Sequence, residues 1–302
     1  MLKALLAATA LLTMMTPVQA QDRVTLGWGR LFSNDALGDG QDRWRTGAYA
    51  LSLVRGTNWS GSLPQTAGEI LEFRLRADTI APANLTNPAA DDRRYAGVLS
   101  LSVHTQLALA GFEADLGGGL DLVGPQTGIG RFQSWAHGLM GQGDINALDD
   151  QIDNAAFLAL SAEVGRRIAL GNQAELRPFI AAETGIETLV RAGGDLVIGD
   201  FGRDDLMLRD NATGQRYRGV QGTRIEGVSL TLGGDIARVL DSHLLPDDGA
   251  AQREDTRSRL RAGVQWQGAN ASAFYGVTYL SPEFAGQEDG QVLGSLALNL
   301  RF

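Results

Sequence analysis

The side chains able to do chemistry in this sequence collect in three polar stretches. The first holds Asn34 and Asp35, then Asp39, Asp42, Arg43 and Thr46. The second runs over Pro82 and Asn84 to Asp91, Asp92, Arg93, Arg94 and Tyr95. The third carries His137, followed by Asp149, Asp150, Asp153 and Asn154. His137 is the one histidine among them, and an imidazole can take a proton from water near neutral pH. Asn34, Asp35 and Thr46 offer hard oxygens, which suit calcium because that ion accepts about six to eight oxygen ligands in irregular geometry. Plainer readings compete. A lone histidine is more often a packing or surface residue, and Asn-Asp commonly makes a turn. His104, inside an alternating run, and His243, in a loop without clustered partners, are read as ordinary residues.

Other chemistries are excluded. The chain has no cysteine, and one histidine in the cluster cannot build a zinc site of the usual kind. No Gly-x-Ser-x-Gly elbow and no EF-hand spacing is present. Lys3 is the only lysine and the net charge is −9, so a nucleic-acid partner is not expected. The remaining cations are arginines, whose fork geometry suits phosphate.

The elements that must position these residues alternate with a period of two. In 111–123 apolar side chains take one parity and acids or glycine the other. Leu260, Val264 and Trp266 oppose Arg259, Arg261 and Gln265, and Leu296, Leu298, Leu300 and Phe302 oppose Ser295, Asn299 and Arg301. Twelve such segments are expected, near 23–31, 46–57, 67–80, 94–107, 111–123, 154–167, 174–186, 188–199, 223–238, 257–267, 270–280 and 291–302. Residues 1–20 read as a secretory signal, with Lys3, an apolar run and Val18-Gln19-Ala20. Export, alternating strands and a terminal aromatic predict an all-β protein: a twelve-stranded antiparallel transmembrane β-barrel of the outer membrane over 21–302. A soluble periplasmic β-protein would lack a reason for the terminal pattern. Strand parity puts the three polar stretches on one outward rim. Residues 127–142 place Phe132, Trp135, Ala136 and Leu139 at helical spacing, predicting a short amphipathic helix against the barrel wall within an extracellular loop. Segment 200–222 is long for its side and is expected as a small flap under the barrel. The fold needs no partner subunit, so a monomer is expected.

Taken in order, Asn34-Asp35, Asp42-Arg43-x-x-Thr46-Gly47, Asp92-Arg93-Arg94-Tyr95-Ala96-Gly97, Gly124-Pro125-Gln126-Thr127-Gly128, Ala136-His137-Gly138-Leu139-Met140-Gly141 and Asp150-Gln151-Ile152-Asp153-Asn154 resemble the lipid A deacylases of the LpxR type. The resemblance covers the first half of the mature chain. It implies a twelve-stranded outer-membrane enzyme that removes the 3′-O-linked acyl chain from lipid A of lipopolysaccharide, with Ca2+ as cofactor. It implies His137 as general base, with Asn34 and Asp35 shaping the metal site and orienting that base and Thr46 beside them, so that Asp35 and Thr46 count with His137 as catalytic. The substrate would enter sideways, between the wall and the 130–141 helix. Arg93, Arg94 and Trp135 are then expected to touch it. Two positions depart from the family: its lysine, expected within 83–90, is absent, and Gln142 and Gly143 stand where an acid is expected after the histidine. A non-enzymatic barrel, either a narrow porin or a structural protein, is the competing reading.

Overall fold

The computed structural model describes residues 22–141 and 143–300; the expected leader and Phe302 lie outside them. Along the chain the strands are β1 (Val24–Asn34), β2 (Trp44–Gly56), β3 (Ile70–Ala81), β4 (Ala96–Leu109), β5 (Phe112–Val123), β6 (Ala155–Gly165), β7 (Ile168–Ala169) and β8 (Ala174–Thr184). They continue with β9 (Glu187–Ile198), β10 (Leu206–Arg209), β11 (Arg216–Val220), β12 (Gly227–Ser242), β13 (Thr256–Gln267), β14 (Ala271–Leu280) and β15 (Gln291–Leu300). One α-helix, α1, spans Ile129–Met140.

Twelve strands form a closed antiparallel barrel. β1 pairs with β15 through Phe32↔Leu296, which closes the sheet, and β6 pairs with β8 through Leu160↔Thr184. Closure leaves no open edge, as a bilayer demands of strands. Each of the twelve expected segments overlaps one barrel strand. β7 is a two-residue stub beside β8.

The alternation sorts residues between lipid and lumen. On β13, Leu260, Val264 and Trp266 are exposed while Arg257, Arg259, Arg261, Gln265 and Gln267 are buried. The lumen is therefore charged, and many of its charges are paired. Arg209 reaches Glu163 at 2.6 Å and Asp195 at 2.8 Å, and Asp235 receives Arg191, Arg259 and Arg261. Pairing matters because an unpaired charge in that interior would carry its full desolvation cost.

Segment 200–222 is not a flap beneath the barrel. Its β10–β11 hairpin folds up into the lumen. Leu206, Leu208, Tyr217 and Val220 bury against Leu31, Ala50, Val54 and Phe274 of the wall. Gln215 bonds the carbonyl oxygens of Ala262 and Val277 on the far side, and Tyr217 Oη lies 3.0 Å from Ser52 Oγ. Contacts on so many strands require a position inside. Gly27 and Gly29 on β1 make it possible: a Cβ at either would meet the hairpin backbone at Gly219 or Arg218. The hairpin packs along the wall inside the lumen and narrows it, while the polar loops gather at the rim.

Candidate active site

The first loop is built by local geometry. Asn34 ends β1 in extended conformation and caps a short 3-10 helix over Asp35–Leu37; its Oδ1 accepts from Ala36 N at 2.8 Å. Its Nδ2 donates to Thr46 O at 2.6 Å, tying the two ends of the loop together. Thr46, itself buried, sits at a bulge where β2 pairs Arg45 with Ile80 and Gly47 with Thr79. Such bulges re-aim side chains at strand rims. Trp44 just before it holds the left-handed region (φ 55), and the Arg43 guanidinium stacks over its ring at 4.0 Å.

Asp35 is 3% exposed and has no ion pair among the described residues. Its Oδ2 accepts from Arg43 N at 3.2 Å. Burial pushes its carboxyl up to about 8; the nearby Asp42 charge adds to the shift, while the amides of Arg43 and Ala36 oppose it. Burial likewise raises Asp42, against the pull of His137.

The third loop supplies α1. Gly128 and Gly141, both in the left-handed region, bound it. Gly130, Gln133 and His137 share one face at positions i, i+3 and i+7. His137 is buried and its Nε2 lies 3.0 Å from Asp42 Oδ2. Gln133 Nε2 approaches Asp42 Oδ1 at 3.5 Å, and Gln133 Oε1 accepts from Tyr95 Oη at 2.8 Å. The opposite face, with Phe132, Trp135, Leu139 and Met140, is exposed. The expected helix is present, but its polar face packs on the site and its apolar stripe points away. A buried imidazole that finds its acid inward explains that orientation better than burial of apolar area.

The three loops interlock as the strand parity implied. Arg94 donates to the carbonyls of Asp150 and Gln151 at 3.0 and 2.7 Å, Ile152 N to Tyr95 O at 2.8 Å, and Ala147 N to Leu85 O at 2.9 Å. Of the expected site residues, Asn34, Asp35 and Thr46 share one loop knot, and His137 joins it through Asp42. Arg93 and Arg94 take structural places instead. Arg93 is buried in an ion pair with Glu283, and Arg94 staples the second loop to the third. Trp135 lies 5.6 Å from Phe132 on the exposed stripe. Sequence reasoning assigned no role to Asp42, Gln133 or Tyr95. The acid next to Arg43 in the same loop as Asp35 was the available signal.

A buried carboxylate without a counter-charge, raised by a second carboxylate, is a fit for a hard divalent cation. Asp35, the second lone pair of Asn34 Oδ1 and nearby carbonyls are the groups that would hold it.

The Outer membrane protein LpxR family matches residues 5–302. The chain belongs to that family. It is thus an outer-membrane β-barrel of the LpxR family, and its fold matches LpxR from Salmonella typhimurium with a TM-score of 0.75 at 17% identity. That match covers 91% of this chain and all of the other. The β domain of the Bordetella autotransporter BrkA is similar at TM-score 0.42 and 15% identity, covering 91% of this chain and 99% of the other, and bears on neither fold nor function. No curated protein matches the chain.

Proposed function

We propose that this LpxR-family barrel hydrolyses an ester-linked acyl chain of lipid A, at the 3′-O position, from the outer leaflet. The observation that carries the reading is His137 Nε2 at 3.0 Å from Asp42 Oδ2, beside the uncompensated carboxylate of Asp35. An Nε2–H donated to Asp42 leaves Nδ1 as the acceptor nitrogen, without a protein partner among the described residues. Nδ1 takes a proton from water as the water oxygen attacks the ester carbonyl. The imidazolium then returns that proton to the departing sugar oxygen, releasing a fatty acid and an alcohol. Asp42 holds the ring in place; it positions rather than reacts. Asp35 and Asn34 are the residues that would hold Ca2+, and the ion would supply polarisation of the ester carbonyl there.

Arg43 is the cation we put in place of the absent family lysine. Arg43 makes no hydrogen bond or ion pair through its side chain among the described residues, and its Nε is unpartnered. Its guanidinium stacks on the Trp44 ring, and it is the cation we assign to a developing oxyanion. The exposed stripe of Phe132, Trp135, Leu139 and Met140 offers an apolar surface to the acyl chains of the substrate, which keeps Trp135 as a substrate contact.

The test is the mass of lipid A from cells expressing the chain with calcium supplied. Loss of one acyl chain that disappears in His137→Ala supports the reading; an unchanged spectrum with folded barrel in the membrane overturns it. The porin reading has less support, because the β10–β11 hairpin occupies the lumen.

A further inference from the structure

A second constellation lies inside the barrel, apart from the rim site. Ser102 Oγ is 2.9 Å from His104 Nε2, and His104 Nδ1 is 2.7 Å from Asp115 Oδ1. The other Asp115 oxygen accepts from Gln106 Nε2 at 2.8 Å, so the carboxylate is fixed from both sides. His104 is the sole hydrogen-bond partner of the Ser102 hydroxyl among the described residues. The register explains the alignment: Ser102 and His104 share the lumen parity of β4, opposite Gly119 and Gly117 of β5. A Cβ at Gly117 would collide with the imidazole, and one at Gly119 with Ser102. The glycines clear the space in which the ring lies down toward Asp115.

We propose that Ser102, His104 and Asp115 form a nucleophilic triad that hydrolyses short-chain carboxylic esters within the lumen. The order of contacts, hydroxyl to Nε2 and Nδ1–H to carboxylate, is the one that lets an imidazole deprotonate a serine. Ser102 Oγ attacks the ester carbonyl while its proton passes to His104 Nε2. The alcohol leaves with that proton. Water then cleaves the acyl-serine, giving its proton to His104, which returns it to Ser102 as the acid departs. Arg74 is the register partner of Ser102 on β3. Its Nε and Nη2 bind Glu72, which leaves Nη1, 3.4 Å from Asn211 Oδ1, to face the oxyanion.

Space sets the substrate class. Ser102 and His104 line a cavity of about 110 Å³, smaller than the ~150 Å³ that holds one benzene, so the acyl group must be short. Through Arg74, His104, Ser161 and Asn211 it adjoins a larger cavity of about 500 Å³, bordered by Trp59, Gly61 and Gly111 at the rim where β1 begins and β15 ends. Arg216 lines the larger space without an ion pair or hydrogen bond among the described residues, which favours an alcohol part bearing negative charge. A metal centre on Glu72, His104 and Asp115 is the competing use, since their ligand atoms lie within 4.8 Å. The oxygens of Glu72 are already taken by Ser52, Arg74 and Gln106, so a metal would have to strip a buried arginine of its partner.

The experiment uses the full barrel in detergent, in a His137→Ala background so that the rim site does not contribute. Folding is checked by heat-shifted gel migration. A small fluorophosphonate is expected to add once, on the peptide containing Ser102, and p-nitrophenyl acetate to be cleaved while p-nitrophenyl laurate is not, both unaffected by EDTA. Ser102→Ala should abolish labelling and cleavage, and Asp115→Asn should slow both by at least about 100-fold. No adduct on Ser102 at a concentration that labels a known serine hydrolase, an unchanged rate in folded Asp115→Asn, or loss of activity with EDTA would overturn the proposal.

Discussion

His137 Nε2 sits 3.0 Å from Asp42 Oδ2, joining the helix of the third loop to the first loop across the barrel rim. The contact decides more than proximity. It selects the tautomer with a proton on Nε2 and so presents Nδ1 as the basic nitrogen. It also anchors α1 by its polar face, which leaves the apolar stripe outward.

Removing either partner should therefore affect the proposed lipid A hydrolysis unequally. His137→Ala loses the base, and a drop of about 10² to 10⁴-fold in kcat is expected. Asp42→Asn keeps the ring near its place but loses its charge. Because Asp42 is partly exposed, about 10- to 100-fold is expected, below the ~10⁴ of a buried triad aspartate. Single-turnover deacylation followed by mass spectrometry separates the two; equal losses would place Asp42 in the chemistry itself.

Asp35 gives a pH signature. Its folded carboxyl is raised to about 8 by burial and the Asp42 charge, against an unfolded value near ~3.9. The native state then holds a proton that the unfolded chain has lost, so stability contributed by this group is full below about pH 4 and falls as pH rises through about 8. Refolding equilibria of the EDTA-treated barrel should weaken over that window. Calcium should flatten the slope by stabilising the carboxylate, and Asp35→Asn should remove it. A slope unchanged in Asp35→Asn would assign the pH effect to another group.

Arg43 is expected to act on turnover more than on binding. Arg43→Ala should lower kcat by about 10² to 10³-fold, the cost of one oxyanion donor. Arg43→Lys should recover part of it, whereas Arg94→Ala should mainly loosen the second and third loops and lower thermal stability. Rates for Arg43→Ala within a factor of two of the unaltered protein would return the oxyanion role to another donor.

The twelve strands were legible because lipid and lumen impose opposite polarity on neighbouring residues; Leu260 and Arg261 cannot exchange faces. The rim cluster was legible as residue types in three loops, yet its key pair was not, since Asp42 and His137 meet only after the barrel brings their loops together. Arg93 and Arg94 looked available in sequence; Glu283 and Asp150 claim them in space. His104 read as an ordinary strand residue because Ser102 and Asp115 become its neighbours only through the β4–β5 register. Leu206 and Tyr217 gave no strand signal of their own, as a hairpin buried on the wall and in a charged lumen lacks a solvent face.

That hairpin makes a prediction about permeation. Its apolar side, including Leu208 and Tyr217, packs on Leu31 and Val54, and its tip is pinned by Arg259 to Asn211 O and by Asn211 Nδ2 to Glu183 at 2.8 Å. Ions would have to cross a lumen narrowed by the hairpin, where many charged side chains are engaged with one another. The intact protein is expected to show no steady conductance in a planar bilayer. Replacing residues 203–223 with a short Gly/Ser link removes Arg209, Arg216 and Arg218 as well as the plug. It leaves Glu163 and Asp195 without Arg209, and Glu183 without Asn211, along the exposed wall. An open, cation-preferring pore should result, with the barrel still heat-modifiable. Leu208→Ala should keep the pore closed while costing about 2–5 kcal/mol of stability, because it hollows the plug's packing without detaching its ion pairs. Conductance in the unaltered protein would show that the hairpin leaves the lumen in the membrane, and the buried charges it now satisfies would then have to be hydrated.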